Sequence, residues 1–119
     1  MSIRVSVDEL GRVVPAYQWG YLLTTGDRPH VEAQPITFDG GSLRIVGIGQ
    51  TSMANLSRKP RVTLVFPPGA AVPRPDDVPE GFTLIIDGEA AITARAKRTA
   101  IAIRPTGAVF HRPAPAPGD

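Results

Sequence analysis

The chain has 119 residues, no cysteine, and 13 Lys and Arg against 11 Asp and Glu, for a formal charge of +2 at neutral pH. That length makes one domain with a core large enough to need no covalent staple, and the missing cysteines rule out disulfides and cysteine-ligated zinc or iron–sulfur sites. The near-balance of charge argues against a nucleic-acid surface, and no uninterrupted apolar run follows Arg4, so neither a signal peptide nor a membrane-spanning helix is expected and a cytoplasmic protein is.

Ser6-Val7-Asp8-Glu9 has the form of a capping box, with Ser6 and Glu9 as reciprocal partners. Leu10, Val13 and Val14 then supply an apolar stripe and Pro15 stops it, which predicts a helix over 6–14. Trp19 to Thr25 reads as the first strand, closed by Gly26-Asp27-Arg28-Pro29. His30 to Phe38 reads as the second. Its apolar residues sit at odd positions (Val31, Ala33) and then at even ones (Ile36, Phe38). The flip at Gln34-Pro35 predicts a bulge, because proline has no amide to give a central ladder. Asp39-Gly40-Gly41 is a tight-hairpin signal, and Leu43 to Ile48 is the return strand.

Ser52 to Lys59 reads as a short helix, capped by Thr51 or Ser52 and ended by Pro60. In Arg61 to Phe66, Val62, Leu64 and Phe66 share one strand face. Residues 67–81 hold five prolines and two glycines, the composition of a long surface loop. Phe82 to Ile86 is apolar on both faces and reads as a central strand continuing through Asp87-Gly88 toward Ile92; a last strand falls between Ala100 and Phe110. The Pro/Ala-rich stretch 113–119 is expected to be a disordered tail, leaving 1–112 as the domain. Six short strands with a turn every ten residues or so give a mostly-β barrel or sandwich.

In its order of elements the chain resembles the pyridoxamine 5'-phosphate oxidase family. The most specific stretch runs from Gly49-Gln50-Thr51-Ser52 through Pro60-Arg61-Val62-Thr63-Leu64 to Phe66-Pro67, and the likeness spans about residues 18–92. The resemblance implies a six-stranded split β-barrel of the FMN-binding type with two short helices, acting as a homodimer. It implies FMN, or in related branches deazaflavin F420 or haem, at the subunit interface. The ring is then expected against Glu32, Ala33, Gln34 and Pro35 on one side and Ile45, Val46 and Gly47 on the other, with the phosphate at Gln50, Thr51 and Ser52. The cations that hold phosphate in the family fall here on Thr51, Ser52 and Glu32, and the substrate-side lysine falls on Thr37; none is basic. A phosphate would lose three charge-assisted bonds and meet a repelling Glu32. The implied function is a flavin- or deazaflavin-binding oxidoreductase other than a true pyridoxamine phosphate oxidase. The alternative is a cofactor-free or haem-binding dimeric binding protein. No catalytic residue is named by either.

Four smaller features carry more than one reading each. Gly47 to Ser52 before a helix is either a neutral phosphate cradle or a plain helix start after a turn. His30 and His111 are the only histidines, which excludes a three-His metal site and leaves strand histidines or a haem ligand. Tyr17, Trp19 and Tyr21 suit a core, a flavin face or a subunit interface. Arg58, Lys59 and Arg61 with Arg95, Lys97 and Arg98 form a basic strip, but one without the interleaved aromatics that single-stranded nucleic acid needs.

Overall fold

The computed structural model describes residues 1–69, 75, 76 and 78–114. The strands are β1 (Ser2–Val5), β2 (Gly20–Thr24), β3 (His30–Gln34), β4 (Thr37–Asp39), β5 (Ser42–Val46), β6 (Arg61–Phe66), β7 (Thr83–Ala94) and β8 (Ala100–His111); the helices are α1 (Leu10–Val13) and α2 (Gln50–Arg58). All strand pairs are antiparallel, in the order β3-β2-β6-β7-β8-β5-β4, with β1 joining β8 off that path.

This order forces curvature. β3 and β4 are the two ends of the path, yet only Pro35-Ile36 separates them. A flat sheet would place its edges roughly 29 Å apart at about 4.8 Å per step. Three Cα steps reach at most about 11 Å. The sheet must therefore curl until its edges meet, making a barrel with a seam at Gln34–Thr37. The inward side carries the core: Leu22, Leu43, Ile45, Leu64, Phe66, Leu84, Ile86, Ile101 and Ile103 are all fully buried.

The long strands stay in register with that core through irregularities. β8 buries odd residues at its start (Ile101, Ile103) and even ones at its end (Ala108, Phe110). The switch occurs where Asp87 faces Gly107 but Gly88 faces Pro105, so Thr106 is the extra residue of a bulge. One edge of β8 is shared: β5 pairs with Ala100–Ile103 and β1 with Ala108–His111.

Local chemistry explains most boundaries and corrects several expectations. The Asp39–Ser42 hairpin turns on Gly40 and Gly41, at φ +59° and +82°, a left-handed pair that only glycine adopts readily. The expected bulged strand 30–38 is instead two strands on opposite sheet edges, because Pro35 ends the pairing of β3. The N-terminal helix is a composite: a 3₁₀ turn at Val7–Glu9, α1, and a second 3₁₀ turn at Val14–Ala16. Pro15 sits inside that last turn, where no amide is required of it. The reciprocal capping box does not form. Ser6 Oγ accepts from Asp8 N at 3.3 Å, and the Glu9 carboxylate pairs with Arg12. α2 starts two residues earlier than the sequence suggests, with Gly49 rather than Thr51 or Ser52 at its cap. Among the described residues the strands number eight rather than six, since β1 is new and the second strand divides. Of the expected Pro-rich loop and the expected tail, 70–74, 77 and 115–119 lie outside the described residues.

Candidate functional site

The seam brings together three pieces of chain: the end of β3, the turn after β5 and the start of α2. In β3 the usual alternation is inverted. His30, Glu32 and Gln34 turn toward the inner, half-buried side, while Val31 and Ala33 face out, Val31 at 52% exposure. A polar inner face on an edge strand marks a place where the barrel does not close on hydrocarbon.

Glu32 is the centre of this inner face. Its carboxylate accepts from Gln34 Nε2 at 2.6 Å, from Gly49 N at 3.3 and 3.4 Å, and from the Ser52 hydroxyl. Gln34 Nε2 also donates to the Gly47 carbonyl at 3.3 Å. The Gly47 amide donates to the Thr99 carbonyl at 2.7 Å, which ties the turn to the start of β8. Glu32, Gln34, Gly47 and Ser52 are thus in one hydrogen-bonded cluster across the seam. Ser52 is fully buried.

The other expected site residues divide. Pro35, Val46 and Gly47 are exposed along the seam. The Ile45 side chain is buried in the core, so only its backbone is available there. Ala33 faces outward beside Tyr21, its partner across the ladder. Gln50 and Thr51 are exposed on the far flank of the helix start, lining a shallow groove of about 310 Å³ with Asp27 and Arg28. Thr37, the expected substrate-side position, is exposed at the start of β4.

The three aromatics separate as well. Tyr17 is buried against Phe66, ring centroids 5.7 Å apart, with its hydroxyl donating to the Phe82 carbonyl at 3.4 Å. Trp19 and Tyr21 meet edge to face at 5.1 Å on the surface, next to the last residues of β3. The expected basic strip is broken: Arg58 pairs with Asp27, while Arg95, Lys97 and Arg98 lie in the β7–β8 turn. His111 Nδ1 is 2.9 Å from Ser2 Oγ, and His30 is half-buried at the start of β3, opposite Thr24. Among the described residues no group of three or more His, Cys, Asp or Glu could hold a metal, and no helix is long and apolar enough to cross a membrane.

Of the outer face of the sheet, the sequence singled out the run Phe82–Ile86, apolar on both faces. Ladder register places Ala33, Tyr21, Val65, Ile85 and Val109 in one row across five strands, all at least partly exposed. Beside it a groove of about 620 Å³ runs over Leu23, Val31, Thr63 and Asp87 to Arg61 and Glu89. The signal available was the pair Val65 and Ile85, apolar residues on second faces that otherwise carry Arg61, Thr63, Thr83, Asp87 and Glu89.

No family model matches the sequence, and no curated protein matches it. Solved structures do match. An FAD-binding protein of Mesorhizobium loti is 13% identical and superimposes with a TM-score of 0.68, over 94% of this chain and 98% of its own. A candidate pyridoxamine 5'-phosphate oxidase of Listeria innocua is 19% identical, with a TM-score of 0.64 over 87% and 96%. The heme storage protein HutZ of Vibrio cholerae is 14% identical, with a TM-score of 0.60 over 79% and 85%. The fold is the split barrel of the pyridoxamine 5'-phosphate oxidase type. In this split barrel the seam and the start of α2 lie beside β3, and the apolar outer row begins on β3 and β2.

Proposed function

We propose that the protein is a homodimeric split-barrel oxidoreductase that holds a flavin-class ring, flavin or deazaflavin, at the seam. The observation that supports this best is the seam itself: two facing stretches, Glu32–Pro35 and Val46–Gly47, joined by Gln34 and flanked by the surface pair Trp19 and Tyr21. Solved proteins of the same fold bind FAD or heme, which favours a flat conjugated ligand. A bound flavin would supply the hydride or electron chemistry. The chain's own part is to present backbone amides and carbonyls to the ring edge, to cover one ring face with Trp19 or Tyr21, and to keep water from the other.

The second subunit belongs to this reading. Val31, Ala33, Tyr21, Val65, Ile85 and Val109 form an apolar outer patch, all at least partly exposed, and Arg61, Asp87 and the Glu89–Arg104 ion pair border it with both signs of charge. A two-fold copy of the same face would bury the row against itself and let opposite charges meet at the rim. β3, whose inner face makes the seam, is an edge strand of that interface, so the cofactor cleft would lie between subunits.

The test is titration of the purified full chain with riboflavin, FMN, F420 and hemin, followed by quenching of its single tryptophan, Trp19. Saturable quenching by a flavin or deazaflavin is the expected result. Hemin alone binding would replace the flavin reading with a haem-binding one. Indifference to all four would leave a cofactor-free dimeric module.

A further inference from the structure

We infer that Glu32 is a built-in anion that closes the start of α2 to phosphate, so that a flavin is selected here by its ring and not by a phosphate tail. The start of a nine-residue helix exposes unpaired amides and the positive end of its dipole, which ordinarily recruits an anion. In α2 the cap is Gly49, whose missing side chain offers nothing. The anion comes from β3 instead, 17 residues earlier, as the Glu32 carboxylate.

At the helix start that carboxylate takes the Gly49 amide and the Ser52 hydroxyl, while the amides of Gln50 and Thr51 are not among its donors. An ionised carboxylate only accepts. Glu32 receives the Gly49 amide on both oxygens, the Gln34 amide on Oε2 and the Ser52 hydroxyl on Oε1. Ser52 is fully buried, so its hydroxyl cannot serve an outside ligand without leaving Glu32. No Lys or Arg side chain is among the groups bonded to Glu32, so a phosphate brought to the same place would add negative charge beside an uncompensated carboxylate. With the Gly49 amide and the Ser52 hydroxyl taken and a carboxylate already beside them, this helix start does not fit the phosphate dianion of FMN. Glu32 is in this sense a specificity residue: it stands where a ligand's anion would stand, and its partners Gln34 and Ser52 hold it there.

The flavin half of the inference rests on the reading above; the filled anion seat does not. The experiment separates them. In the first arm, wild type, Glu32→Ala and Glu32→Gln are melted with and without inorganic phosphate at matched ionic strength. Wild type should melt at the same temperature in both. Glu32→Ala should melt lower and recover part of the loss with phosphate, as the anion enters the vacated seat. A wild type stabilised by phosphate as much as Glu32→Ala, or a Glu32→Ala that ignores phosphate, overturns the seat. Should Glu32→Ala not fold, Glu32→Gln, which keeps the side-chain length, takes the same comparison. In the second arm riboflavin and FMN are titrated into each protein. Wild type should bind them equally, within about threefold, and either variant should shift the ratio toward FMN by about tenfold, the scale of one charge-assisted contact. A wild type that prefers FMN by tenfold or more overturns the inference. If neither flavin binds any of the proteins, the flavin reading fails, and the melting arm still decides whether Glu32 fills the seat.

Discussion

Asn55 Nδ2 donates to Thr24 Oγ1 at 3.0 Å, and both side chains are buried. The same nitrogen donates to the Arg28 carbonyl at 3.0 Å, so one amide fastens α2 to β2 and to the turn after it. Asn55→Ala strands a buried hydroxyl and a carbonyl, and should cost about 2–3 kcal/mol. Urea unfolding should show a lower midpoint with an unchanged slope. A loss under about 0.5 kcal/mol would mean that the clamp contributes little.

Gly26 is fitted to that clamp. It has φ +61°, and a Cβ there would stand 2.2 Å from Asn55 Oδ1. Gly26→Ala should therefore destabilise by about 2 kcal/mol or more. In an Asn55→Ala background the same change should cost less, because Oδ1 and Cγ are gone, although the Cα of residue 55 still stands 2.7 Å from the new Cβ. Equal costs in both backgrounds would show that the Asn55 side chain adds nothing to the strain at φ +61° and the contact with the residue 55 Cα.

Gly88 and Gly107 make a matched pair on neighbouring strands. A Cβ on Gly88 would meet the Arg104 carbonyl oxygen at 2.6 Å, and backbone cannot step aside as a side-chain end can. Gly107 has nothing within 4 Å. Gly88→Ala should lower stability by about 3 kcal/mol or more, whereas Gly107→Ala should be neutral within about 0.5 kcal/mol. Thermal melts of the two variants side by side decide it.

The proposed dimer has a central test at Ile85, which lies between Val65 and Val109 in the apolar row. Ile85→Asp should give a monomer by light scattering at a concentration where wild type is a dimer, with an unchanged far-ultraviolet spectrum. A monomeric wild type would remove the second subunit from the proposed function.

The parts of the fold legible in the sequence were those fixed by neighbours in the chain. Val62, Leu64 and Phe66 alternate, and β6 spans the residues that alternation marks. Asp39-Gly40-Gly41 has the backbone freedom its turn requires, and the hairpin forms there. β1 was not legible. Its four residues are mostly exposed and are held by β8, with Ser2 facing His111 across the ladder. Pro35 announced an interruption, but whether it bends one strand or parts two depends on where the sheet's edges lie. At the site, the sequence marked Glu32 as hostile to phosphate. It could not show that Glu32 caps α2, because the carboxylate and the Gly49 amide meet only when the barrel curls.

The shared edge of β8 bears on how the chain reaches this state. During synthesis the β2–β3 and β4–β5 hairpins can form early from nearby residues. β1 and the free side of β5 must wait, their pairing groups open, until residues 100–111 have emerged. Barrel closure is then a late event between distant parts of the chain, the kind that slows folding and leaves bare strand edges able to pair with a neighbouring nascent chain.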